Sequence, residues 1–279
     1  MTIADVAFTV AHRLRDNYIG RDRGAEYSVL LRSARDAGYD LIPLAEFYAR
    51  ERSPDRAVQK LLVLRHDVDI RDVAGNERFR SIERAIGARS TFYFRRSTAA
   101  AHRRLIGDLL RDGFEVGYHF EEAAVLAKQQ GLGCRSQVFG QRPAIEELFR
   151  RNCAKFRRRW NPDLVSVASH GDWINRRLGF ENHEPLSPGL LAECGLLFEA
   201  YGDDIVGRAD VYVSDVARSP ARWAGDYGLA EALREARDPI CVLTHERNWF
   251  TNRRANAEAD LDRLADGFRY RLRRGRAAP

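Results

Sequence analysis

The chain has 279 residues, of which 44% are hydrophobic and 31% charged, a globular composition with no disordered tract. No run approaches 18 apolar residues, so the sequence excludes a membrane-spanning helix. Forty-six basic residues against 40 acidic ones leave a net charge of +6, and 43 of the basic residues are arginine, concentrated in Arg150 to Arg159 and in Arg269 to Arg276.

The opening stretch, MTIADVAFTVAHRLRD, interrupts its apolar residues with Asp5 and His12 and has no basic leader, so a cytoplasmic location is expected. Residues 22 to 51 read as helical, with Tyr27, Leu30, Leu31 and Ala34 at helix spacing before Gly38, then a short helix from Leu44 to Arg52. From residue 61 strands alternate with helices. Leu61 to Leu64 is a continuous apolar run, as in a strand buried on both faces. A helix over about 72 to 86 closes at Gly87, and Thr91 to Phe94 is the next strand, its aromatic run assigned to core. Ser97 or Thr98 caps a helix with Leu105, Ile106, Leu109 and Leu110 on one face, ending at Gly113. Glu115 to His119 is a third strand, and a long helix over about 143 to 159 carries Ile145, Leu148, Phe149, Cys153 and Phe156 in one stripe. Leu164 to Ala168, Val211 to Val213 and Ile240 to Thr244 are further strands. The last helix, about 255 to 273, has Leu261, Leu264, Phe268 and Leu272 at helix spacing.

Without repeats or linkers, residues 1–279 read as one domain, residues 1–60 being a helical part packed on the rest. Repeated strand–helix units imply a parallel α/β sheet, either doubly wound or closed as a barrel, and in both the chemistry sits at the C-terminal strand ends. Cys134, Cys153, Cys194 and Cys241 form no CxxC pair and read as free thiols in a reducing compartment. The arginine tail can dock phosphates or make peripheral contact with an anionic membrane surface, or it is a solvated helix end complementing the helix dipole. No nucleic-acid motif accompanies it, so nucleic acid is not expected as a partner.

Five strands each deliver His or Asp at the same end: His66, Asp67 and Asp69; His119; His170; Asp215; and His245. One such residue is readily explained as a polar group satisfied where a strand exits, but five together are not. His12, His102 and His183 read as surface residues. Asp67 and Asp69 project to the same side of a continuing strand, and adjacent carboxylates stay ionised only if a cation lies with them. A divalent metal on Asp69, with zinc the first choice, leaves Asp67 free as a general base. His119 and His170 supply neutral nitrogens, an open Asp/His/His set of the catalytic kind. His245 is then available as general acid.

At these residues the sequence resembles the polysaccharide deacetylase family, the enzymes with the NodB-homology domain. The matching segments are LRHDVD (64–69), STFYF (90–94), GFEVGYHFE (113–121), VASHG (167–171), YVSD (212–215) with Trp223, and VLTHERNW (242–249), in family order over most of the chain. The HDVD form is closest to a branch associated with bacterial surface-polysaccharide and lipopolysaccharide gene clusters. The resemblance implies a distorted (β/α) barrel of about seven parallel strands and metal-dependent hydrolysis of an N-acetyl group on a sugar. It implies Asp67 as base, Asp69 as ligand, His119 as the first histidine of the second motif and His245 as acid.

Several positions depart from the family pattern. Val68 separates the two aspartates, and the second histidine of the second motif, four residues after His119, is replaced by Ala123. His170 is taken as the replacement ligand, with Glu121 as its competitor. The family's arginine that orients the base is not at its usual place, and Arg65 can serve instead. Arg65, Asp215 and Trp223 are assigned to the sugar pocket. His66 is either a hydrogen-bond partner of an aspartate or a further ligand. The expected substrate is an N-acetylated sugar on a nucleotide- or lipid-linked precursor or growing glycan. The alternatives are a hydrolase of another amide or ureide, and a non-catalytic glycan-binding barrel.

Overall fold

A computed structural model describes residues 18–20, 22–53, 59–215 and 227–277. His12 and Trp223 lie outside the described residues. Helix α1 (Gly24–Asp36) turns Tyr27, Leu31 and Ala34 inward. Strand β1 (Tyr39–Ile42) follows, then α2 (Leu44–Arg50). The sequence reading passes over β1 because four residues between two helices show too little alternation to register. Strand β2 (Lys60–Val68) runs into α3 (Val73–Ile86). The Asp72 carboxylate accepts from Gly75 N at 3.0 Å to start α3, and Gly87 at φ +76° ends it. Strand β3 (Thr91–Phe94), α4 (Arg103–Arg111), β4 (Glu115–Phe120), α5 (Glu122–Gln130) and α6 (Arg142–Arg159) come next. The helix expected from Ser97 is broken: a single turn, Arg96–Ala99, precedes α4, and the Thr98 hydroxyl donates to Val68 O at 3.0 Å. Strands β5 (Ser166–Ser169), β6 (Phe198–Glu199), β7 (Val211–Ser214) and β8 (Ile240–Thr244) lead to α7 (Arg253–Ala277).

All strand pairings are parallel, in the order β6-β5-β4-β3-β2-β8-β7. These seven strands form a curled half-barrel, as a distorted (β/α) barrel requires. The eighth, β1, pairs residues 60–63 of β2, while β3 pairs residues 65–68. Because β8 takes residues 62–66 on the other side, β1 and β3 share one edge of β2 end to end. The curl brings the two outer strands toward each other, with Tyr201 after β6 and Tyr212 on β7 at 6.4 Å between ring centroids.

Alternation along β2 divides its side chains between two cores. Leu61 and Val63 point into the barrel with Tyr93, Ala168, Cys241 and Phe47. Leu62, Leu64 and Val68 point outward, into the layer made with α1, α3, α4 and α6. Every residue of β2 from Leu61 to Val68 is buried, so the strand runs past the apolar Leu61–Leu64 stretch that marks it in the sequence. The polar residues that follow can be buried because each is paired.

His66 takes the outward register and is no metal ligand. Its Nδ1 lies 2.6 Å from Thr244 Oγ1 and its Nε2 2.6 Å from Glu83 Oε1. Tyr27 and Ser90 donate to the same Glu83 carboxylate at 2.5 and 2.6 Å. His102, expected at the surface, is fully buried; its Nδ1 donates to Thr98 O at 2.9 Å, and burial pushes its pKa down. His183 is exposed, as expected. Helix α7 also differs from its spacing: Leu261, Leu264, Phe268 and Leu272, patterned like core positions, are 65%, 71%, 64% and 53% exposed. It packs instead through Asn256 and Tyr270, on the other side of the helix.

Candidate metal centre

The inward register of β2 carries Arg65, Asp67 and, one step beyond the strand, Asp69. β4 brings His119 on the same inward register, and His170 follows β5, its backbone N–H donating to Phe120 O at 2.9 Å. His245 follows β8. All of these stand at the C-terminal ends of the strands, where a parallel barrel gathers its reactive groups.

Asp69, His119 and His170 converge, with one ligand atom from each within 4.8 Å of the others. Asp69 Oδ1 is 3.4 Å from both His119 Nε2 and His170 Nε2. Tetrahedral zinc with bonds of about 2.0–2.1 Å holds its ligand atoms roughly 3.3 Å apart, so these spacings suit that ion. Two further observations support the fit. His119 Nδ1 donates to Ala168 O at 2.9 Å, which leaves the Nε2 lone pair facing the aspartates. Asp69 Oδ1 is buried with no hydrogen-bond partner among the described residues.

Glu121 is on the other side of the His170 ring. Its Oε2 lies 3.3 Å from His170 Nδ1 and accepts from Arg95 Nη2 at 2.6 Å. Burial opposes its ionisation, but the Arg95 charge and His170 outweigh that and hold the carboxyl far below the usual range. Glu121, His170 and Asp172 also lie close enough to hold an ion. There the carboxylates already have cations, Arg95 on Glu121 and Lys128 on Asp172 at 2.6 Å, so the cluster is a closed salt-bridge network.

Asp67 is fully buried behind the convergence point, its Oδ2 3.3 Å from His119 Nε2. Arg65 grips both its oxygens at 2.8 Å, and the guanidinium is held between the rings of Tyr201 and Tyr93, 4.1 and 5.1 Å from their centroids. Burial works against an ionised Asp67; the charge of Arg65, then His119 and His245, pulls its pKa down. Asp69 is held well below the usual carboxylate range, burial being overcome by His170, His119 and His245.

His245 is on the remaining side, Nε2 3.8 Å from Asp69 Oδ2. Asp215 accepts from His245 Nδ1 at 2.7 Å, from its backbone N–H at 2.8 Å and from Trp249 Nε1 at 2.9 Å. Burial alone would lower the His245 pKa; Asp215, with Asp69 and Asp67, raises it to about 10.

Arg65 and Asp215, assigned from the sequence to the sugar pocket, are 3% and 1% exposed; Arg65 pairs with Asp67, and Asp215 accepts from His245 and Trp249. Ala123 is fully buried among Val138, Ile145 and Ile174, away from the centre.

Two residues of the site escape the sequence reading. Arg95 directly follows β3, so the rule that singles out the other strand ends would have reached it. Glu246 is 1% exposed, and its Oε1 accepts from Ile70 N at 3.3 Å. Burial, and then the Asp69 charge, raise its pKa to about 8. No spacing signals it, because its proximity to Asp69 comes from β8 pairing with β2. All four cysteines are free and none belongs to the centre. Neither the protein-family models nor the curated proteins give a match to this chain.

Proposed function

We propose that this chain is a zinc-dependent hydrolase that removes the acetyl group from an N-acetylated sugar, carried on a nucleotide- or lipid-linked precursor of a bacterial surface glycan. The observation that carries the reading is the Asp69/His119/His170 cluster flanked by a buried aspartate on one side and a histidine–aspartate pair on the other. Zinc bound there would supply Lewis-acid polarisation of the acetyl carbonyl and a more acidic water. Asp67, kept ionised and oriented by Arg65, takes the proton of the attacking water. His245, kept protonated by Asp215, gives its proton to the departing amine nitrogen, so that acetate and the free amino sugar leave. Glu121 fixes the His170 ring with Nε2 toward the zinc. Asp69 is the most exposed of these groups at 27%, which puts the way in for the substrate on its side.

The test is metal content followed by acetate release. Purified protein is expected to hold one equivalent of zinc, lost in His119→Ala and His170→Ala, and to release acetate from an N-acetylhexosamine precursor. Zinc without acetate from any such sugar would overturn the substrate. Turnover of a cyclic amide or ureide instead would move the scissile bond, and no bound zinc would remove the reading altogether.

A further inference from the structure

Helix α7 has a second face on which none of the described residues packs. It touches the body through Tyr270, whose hydroxyl donates to Leu132 O at 2.6 Å, and through Asp266, which pairs with Lys128 at 2.8 Å. On the opposite side Leu261, Leu264, Phe268 and Leu272 form an exposed stripe about 17 Å long at 1.5 Å per residue. Large apolar side chains in such a row mark a surface that is covered by something else.

The charges beside the stripe identify what covers it. Beside it the helix exposes Arg269 and Arg271, while its one acid from Asp266 to Arg274 is already held by Lys128 and Arg269; Arg273 and Arg274 turn toward the body, where Arg273 Nη1 donates to Lys128 O at 3.4 Å. The acids nearer its start are also engaged: Glu258 pairs with Arg254 at 2.9 Å, Asp260 accepts from Tyr18 at 2.7 Å, and Asp262 pairs with Arg71 at 3.3 Å. The geometry points to α7 as an interfacial helix that lies on an anionic phospholipid bilayer. Its leucines and Phe268 enter the acyl boundary and its arginines meet lipid phosphates. A second copy of the chain fits less well. A stable interface takes roughly 20–30 residues a side, far more than four side chains on one helix, and it would set arginine against arginine wherever the basic halves met.

The surface is joined to the rim of the metal centre. Asn252, just before α7, donates to Asp72 at 2.7 Å, and Arg71 bridges to Asp262, so both contacts reach the loop that follows Asp69. A bilayer held by α7 therefore lies beside the barrel mouth. Nothing in this inference depends on which bond the centre cleaves.

Cosedimentation of the full chain with vesicles tests it. Vesicles of phosphatidylglycerol and phosphatidylcholine are expected to bind the protein, and vesicles of phosphatidylcholine alone to bind it weakly. Leu264→Asp with Phe268→Asp should weaken anionic binding about tenfold, as should Arg269→Glu with Arg271→Glu. Both pairs are exposed, so thermal melting should not change, and salt of about 0.5 M should release the wild type. Three results overturn the inference: no binding to anionic vesicles, binding indifferent to both double variants, or binding that appears only after residues 1–17 are deleted. The last would make that segment the occupant. A dimer in sedimentation velocity that Leu264→Asp with Phe268→Asp dissolves, without vesicle binding, would make it a second copy.

Discussion

The two faces of β2 carry polar networks of opposite kinds. On the outer face His66 has both ring nitrogens engaged, by Thr244 and Glu83, and the Glu83 carboxylate also receives Tyr27 and Ser90. On the inner face Arg65 and Asp67 pair closely, yet Asp69 Oδ1 is buried without a hydrogen-bond partner among the described residues. A polar network with every member satisfied rigidifies a core, whereas one with unspent donors and acceptors is expensive unless it has a task. Neighbouring residues of one strand thus divide between holding the fold and lining the candidate metal centre.

Substitutions on each face should separate these roles. The largest effect on activity is expected from Asp67→Asn, which should cut deacetylation about 10²–10⁴-fold per folded molecule with zinc content near wild type, at some cost in stability because the buried Arg65 guanidinium loses its ionic partner. A fall in stability with activity per folded molecule unchanged would place Asp67 with the outer network. Glu83→Ala should do the reverse, costing about 3–5 kcal/mol in urea unfolding because it strands three buried partners at once. Activity per folded molecule should survive that change. Glu121→Gln is smaller: competition with a chelator should show zinc held about 10–100-fold less tightly, with little change in unfolding. The mildest change is in pH dependence. With its pKa raised to about 10, His245 stays protonated through neutrality, and activity should fall only as pH rises toward that value. Asp215→Asn should move this alkaline limb to lower pH. The same pairing stabilises the fold fully below about pH 6.5, the ordinary histidine value, and that contribution is lost as pH rises through about 10.

Reading along the chain found the strands that deliver Asp67, Asp69, His119, His170, Asp215 and His245, because a buried parallel strand is an apolar run and its end is where polarity resumes. It could not say which way each side chain points. His66 and Asp67 are adjacent and chemically alike as candidates, and only the register of β2 sends one outward and the other inward. Burial of Arg65 and Asp215 was equally hidden, since their partners Tyr201 and Trp249 are distant in sequence. The four exposed residues of α7 show the converse limit: helix spacing reports that a face is apolar, not that the same chain covers it.

β2 is bordered by three strands at once, and one of them, β8, reaches it from 178 residues away in sequence. That ladder has a consequence for the order of assembly. The early strands can find one another locally, but the wall that brings His245 and Glu246 to Asp69 forms only after residues 240–244 have been synthesised and have closed a very long loop. Until then the aspartates, both imidazoles and the arginine clamp have no counterpart across the barrel. On a nascent chain the candidate centre is therefore incomplete, and its last wall arrives late and all at once.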